Sequence, residues 1–242
     1  MIKYIYKIKK EREIAMNINK EKIDKILEAI FPLPEEFGLY YDNADSPYLR
    51  TLEETIYEVD KKATIMYGMS KFVIMSPYFG DVVIKIPFNG YFNYENNWCF
   101  FEGGSGPDFT DYCYAEYEKF KELQKHKLNC FVAKTLLYKT IGNFNIFLQE
   151  RVTPEKDSWK PPIASDNSKK IAEEWYDEGR FIFIESDWIA NCIDKYGEAK
   201  VKQFLDYCNE MDRDILADAH SGNYGYRINK TPCILDYSDF LD

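Results

Sequence analysis

Leu216-Ala217-Asp218-Ala219-His220-Ser221-Gly222-Asn223, followed by Pro232-Cys233-Ile234-Leu235-Asp236-Tyr237, is the stretch on which the reading of this sequence turns. Asp218 and Asn223 stand five apart in a tight glycine-containing loop directly after a helical pattern. Asp236 follows 13 residues after Asn223, just past the short apolar run Cys233–Leu235. Hard oxygen donors of this kind suit Mg²⁺, which takes one or two protein oxygens and completes its shell with phosphate oxygens. A further carboxylate beside them can accept or orient the proton of an attacking hydroxyl. His220, in the same loop, is expected to hold the turn through a backbone hydrogen bond.

Two more charged residues, earlier in the chain, occupy places where charge is costly. Lys85 lies in Val82-Val83-Ile84-Lys85-Ile86-Pro87-Phe88, a run apolar on both sides, as expected of a strand covered on both faces. An ammonium there either snorkels at an edge or needs an anion. Glu116 falls on the stripe of Tyr112, Phe120 and Leu123 in a helix expected over residues 110–127. A carboxylate on the apolar side of a helix asks for a cation. A mutual ion pair would answer both needs.

Around these residues the pattern is sheet first and helix later. Residues 19–31 form an amphipathic helix through Ile23, Ile26, Leu27 and Ile30, and a second runs over Pro47–Val59 with Ser46 as N-cap. Ala63–Tyr67, Phe72–Met75 and Val82–Phe88 read as a three-stranded meander, Tyr91–Phe101 as a further strand or hairpin. After the helix with Glu116 come strands near Phe131–Leu137 and Phe144–Arg151. Residues 153–168, rich in Pro, Ser, Asp and Lys, read as a connection between lobes or a surface insertion. Helices are then expected over 168–178, 186–195 and 198–213, before a closing loop and short strand.

The Asp-x-His-x-x-Asn loop, with an aspartate beyond it, resembles the catalytic and metal-binding loops of protein-kinase-like phosphotransferases. The histidine two after the aspartate is closer to the aminoglycoside and choline phosphotransferase branch. The resemblance covers about residues 63–242. It implies an α+β, two-lobed fold: an N-lobe antiparallel sheet with one helix over 63–152 and a short, mainly helical C-lobe over 153–242, preceded by an N-terminal extension with helices over 1–62. It implies ATP and Mg²⁺ as cofactors. Asp218 would be the catalytic base, Asn223 and Asp236 the metal ligands, Lys85 the contact to the α- and β-phosphates, and Glu116 its helix partner. Gln149, Glu150 and Val152 would line the hinge that receives adenine. Gly68 and Ser70 would stand for the glycine-rich loop.

The sequence departs from that pattern in three places. Tyr67-Gly68-Met69-Ser70-Lys71-Phe72-Val73 keeps a single glycine, Tyr237-Ser238 follows Asp236 where Phe-Gly is usual, and Asp242 stands only six residues past Asp236. The expectation is therefore a phosphotransferase acting on an unknown hydroxyl, with a pseudokinase-like nucleotide-binding or protein-interaction module as the alternative.

Composition bounds the rest. Over 242 residues, 45% are hydrophobic and 17% aromatic, which supports a packed globule. A net charge of −10 argues against a general nucleic-acid binder, which needs a basic face. The six cysteines are scattered without a Cys-x-x-Cys pair, so reduced thiols are expected, not zinc or a disulfide framework. No apolar run approaches the roughly 18 residues of a membrane span, and no secretory signal is visible, so the expectation is a cytoplasmic protein. The expected partners are a nucleotide and an unknown acceptor or protein.

Overall fold

The computed structural model describes residues 16–31, 40–41, 47–67, 71–87, 90–91, 112–141, 144–157, 160–182, 184–217 and 219–237. The expected site residues Gly68, Ser70 and Asp218 lie outside these, as do Ser46 and the stretch 92–101.

In chain order the elements are α1 (Lys20–Ile30), β1 (Tyr40–Tyr41), α2 (Pro47–Val59), β2 (Thr64–Tyr67), β3 (Lys71–Met75), β4 (Val82–Pro87) and β5 (Gly90–Tyr91). Then come α3 (Tyr112–Lys125), β6 (Thr135–Ile141), β7 (Phe144–Glu150), β8 (Thr153–Pro154), α4 (Asp166–Asp177), α5 (Ser186–Tyr196), α6 (Glu198–Met211), α7 (Asp214–Ala217), β9 (Tyr224–Tyr226) and β10 (Pro232–Ile234). The fold is α+β. Its main sheet is antiparallel with five strands in the order β2-β3-β4-β7-β6. No helix among the described residues is long and apolar enough to cross a membrane.

The sheet is covered on both faces. Phe72, Ile74, Ile84, Ile86, Ile146 and Leu148 point one way and pack with Ile23, Ile26, Leu27 and Ile30 of α1 and Leu52 and Ile56 of α2. Helix α1 begins where the Asn19 side chain accepts the Lys22 amide at 3.3 Å, satisfying one otherwise open donor. Its entry is tied to the β3–β4 turn, where Asp81 donates its amide to Asn17 O and Asn19 to Phe79 O. Gly80 permits this approach: its φ is +84°, and a Cβ there would lie 2.1 Å from Asn17 O. The N-terminal helices are thus one layer of the sheet's own core. Residues of the opposite face, Lys85 and Gln149 among them, meet α3. Double coverage explains why every residue of β4 is buried.

A second core gathers Phe120 and Leu123 of α3 with α4, α5, α6, α7 and the β9–β10 hairpin, around Trp188, Phe204 and Tyr224. The expected strand at Phe131–Leu137 begins later than its apolar residues suggest. Asn129–Phe131 is a 3-10 turn, and Phe131 stacks on Phe204 with ring centroids 4.3 Å apart. The helical core takes the aromatic, and the strand starts at Thr135.

The stretch 153–168, read as a linker, is stitched to the C-terminal hairpin: β8 pairs with β9, extending it to three strands. Gly225 makes that contact close, since a Cβ there would fall 1.9 Å from Thr153 O. Helix α4 starts with Ser165 accepting the Ser168 amide, and Asp194 of α5 binds Ser165 and Ser168, pinning the two helices together.

Candidate active site

Lys85, in the middle of β4, projects from the sheet face that meets α3. Val73 lies opposite it in β3 and Phe147 in β7. Its ammonium donates to Glu116 Oε2 at 2.7 Å and Oε1 at 3.0 Å, so the strand lysine and the helix glutamate meet as the sequence pattern led one to expect. Lys85 is 2% exposed and Glu116 is fully buried.

The pair belongs to a larger cluster. Lys71, the first residue of β3, donates to Glu116 Oε1 at 2.5 Å and to Asp236 Oδ1 at 2.7 Å. Lys85 also donates to the Leu235 carbonyl at 3.1 Å. The segment after β10 therefore closes onto the sheet through both lysines. Two ammoniums face two carboxylates, and the cluster is neutral when all four are charged. Burial opposes ionisation of Asp236, but the nearby Lys71 and Lys85 outweigh it and hold its carboxyl below the ordinary range. Burial holds the Glu116 carboxyl above the ordinary range despite the opposing pull of Lys71 and Lys85.

Behind the charges lies a layer of neutral hydrogen bonds. Gln149 donates to Glu116 Oε2 at 3.0 Å and to Thr135 Oγ1 at 3.1 Å. The Thr135 hydroxyl is 2.8 Å from the Tyr237 hydroxyl, which donates to Ala133 O at 2.9 Å. Tyr237 follows Asp236 directly, so its anchoring beneath the sheet fixes the backbone that carries the aspartate. The strand end is held as well: Ala133 donates its amide to Ile234 O at 2.7 Å.

The loop at 219–223 stands beside Asp236. The Asn223 carbonyl accepts the amides of Leu235 at 2.8 Å and Asp236 at 3.2 Å, bringing the two expected metal-ligand positions together through the backbone. His220 holds the turn, its Nδ1 accepting the Gly222 amide at 3.0 Å. An amide oxygen and a carboxylate are suitable donors for Mg²⁺ with phosphate oxygens completing the shell, so the donor chemistry fits the ion. One feature of the geometry opposes it: the Lys71 ammonium already sits on Asp236. No group of three His, Cys, Asp or Glu able to hold a metal occurs among the described residues.

The side chains of Gln149 and Glu150 are engaged within the fold. Gln149 turns its side chain inward to Glu116, and its register partners are Val83 on one side and Thr135 on the other. Glu150 accepts Arg227 Nε at 2.9 Å, while Arg227 also donates to the carbonyls of Cys130, Val132 and Pro232. Of the expected adenine edge, Val152 is the residue beyond β7, half-buried and next to β8.

Lys71, Thr135 and Tyr237 were not singled out from sequence. The signal for Lys71 was its spacing: two residues before Val73, which faces Lys85, it shares the lysine-bearing face. Compared with protein-family models, with curated proteins and with solved structures, the chain matches none.

Proposed function

We propose that this protein is a phosphotransferase of protein-kinase-like, two-lobed form, binding ATP beside the cluster of Lys85, Glu116 and Asp236 and acting on a hydroxyl. The observation that carries this reading is the buried cluster itself. Four charged groups converge from β3, β4, α3 and the segment after β10, with Lys85 on Glu116 and Asp236 beside them. Buried ion pairs are poor stabilisers, because desolvation offsets their attraction. Perturbed charged groups that gather at the junction of two cores are therefore better explained by a ligand than by stability.

In this reading Lys85, oriented by Glu116 and Gln149, neutralises phosphate oxygens. Asn223 and Asp236 would hold Mg²⁺, which supplies charge neutralisation on the transferring phosphoryl group. The bond from the γ-phosphorus to the β–γ bridging oxygen breaks as a bond to the acceptor oxygen forms. The acceptor's proton goes to a carboxylate, the role assigned to Asp218. Adenine falls to the backbone beyond β7 at Val152, because the side chains of Gln149 and Glu150 and the amide of Arg151 are engaged within the fold. A second reading, a nucleotide-binding module without transfer, is favoured by the Lys71 contact to Asp236.

Thermal unfolding with ATP, with and without Mg²⁺, tests the proposal. Ligand at about one hundred times its Kd stabilises by roughly 2.7 kcal/mol. For a chain of this size that raises Tm by roughly 5–11 °C. Lys85→Met should abolish the shift. No shift in the parent protein at millimolar ATP would refute the nucleotide site. A shift without phosphate release would favour the second reading.

A further inference from the structure

Lys71 has no assigned part in the kinase-like order of residues, yet its ammonium contacts both of the cluster's carboxylates. Its ammonium lies 2.5 Å from Glu116 Oε1 and 2.7 Å from Asp236 Oδ1. The residue is 5% exposed. Asp236 is less enclosed, with a side chain 25% exposed, and its amide is held by the Asn223 carbonyl. A cation bridging two carboxylates is what a metal ion would be at this point. Here the cation is covalently tethered through the lysine stem to the start of β3. A divalent ion on Asp236 would meet an ammonium a few ångströms away in a site of low dielectric, where like-charge repulsion is strong.

We infer that Lys71 is a tethered counter-ion that excludes divalent metal from Asp236, so that metal binds there only once the ammonium withdraws. Lys71 then sets the metal requirement of the site. The identity of the competing ion rests on the phosphotransferase reading, whereas the competition concerns Asp236 alone and can be measured without nucleotide. If Lys71 were only a structural tie, neutralising it would cost stability and confer no metal affinity.

The experiment is Mn²⁺ binding to the full chain without nucleotide, followed by the electron paramagnetic resonance of free Mn²⁺. The parent protein is compared with Lys71→Met, Lys71→Gln and the double variant Lys71→Met/Asp236→Asn. Lys71→Gln is included because a neutral amide can still hydrogen-bond to the carboxylates if methionine leaves them unsatisfied. Either neutral variant should bind one Mn²⁺ at least tenfold more tightly than the parent, and the double variant should lose that gain. Folded neutral variants, judged by cooperative melting, with Mn²⁺ affinity unchanged would overturn the inference. Failure of both to fold would make Lys71 a structural tie and overturn it too. The ATP titration separates the two readings. Gain of Mn²⁺ without any response to ATP leaves the counter-ion in place and removes the phosphotransferase. An ATP response without the Mn²⁺ gain does the reverse.

Discussion

Replacing Glu116 by glutamine removes one charge from the centre of the cluster while keeping its shape. Glu116 is fully buried and accepts Lys71, Lys85 twice and Gln149. After the substitution two ammoniums share Asp236 alone, and a glutamine N–H can be turned toward a lysine. Removing one partner of a buried charge pair costs about 3–5 kcal/mol, because the other is left desolvated. At roughly 2–4 °C per kcal/mol for a chain of this length, Tm should fall by about 6–20 °C. Circular dichroism melting and urea denaturation would measure it. A double-mutant cycle with Lys85→Met isolates the pair: the double variant should lose less than the sum of the singles, by about 0.5–3 kcal/mol. A loss below about 1 kcal/mol for Glu116→Gln, with additive behaviour in the cycle, would refute the buried, mutually dependent cluster.

Asp236, held below the ordinary carboxyl range, binds protons more readily in the unfolded chain, whose aspartates titrate near 3.9. Its contribution is complete above that value and disappears as pH falls through about 4 toward the folded value, so acid unfolding should be less steep in Asp236→Asn. Equal steepness in the two proteins would count against it. Arg227 spans Glu150 and the carbonyls of Cys130, Val132 and Pro232, with a side chain 14% exposed. A lysine has one ammonium and no fork, so Arg227→Lys should lose about 3 kcal/mol in urea denaturation, and a loss under about 1 kcal/mol would show the fork to be dispensable.

The parts of this protein that were legible in its sequence are those where one residue contradicts its surroundings. Lys85 inside Val-Val-Ile-Lys-Ile-Pro and Glu116 on the apolar stripe of α3 each called for a partner, and each is the other's. Lys71 gave no such sign. It opens a strand, where a lysine ordinarily snorkels to water, and its partners lie 45 and 165 residues away. Gln149 is expected only as part of the hinge that receives adenine, whereas its side-chain amide donates to Glu116 and Thr135. The helical face of α1 was evident from Ile23, Ile26, Leu27 and Ile30, but not that it covers the sheet. Phe131 looked like strand because its neighbours are apolar, and only its stacking on Phe204 draws it into the helical core.

The closing of β10 and Asp236 onto the sheet also has a consequence for biosynthesis. Lys71, Lys85 and Glu116 are all present once residue 116 has been made, whereas Asp236 is made 120 residues later. At roughly 5–20 residues per second this interval is about 6–24 s, during which two ammoniums have a single carboxylate between them. The sheet, complete only once β7 is made at Glu150, waits in that unbalanced state over the last 86 residues to Asp236, since the docking of Leu235 and Asp236 supplies the missing acceptors. Nascent chains halted before residue 232 should accordingly be cleaved by protease faster across β3 and β4 than chains carried through Tyr237. Charge neutrality at the centre of this protein is a late event in its synthesis, and the hairpin at residues 224–234 is what delivers it.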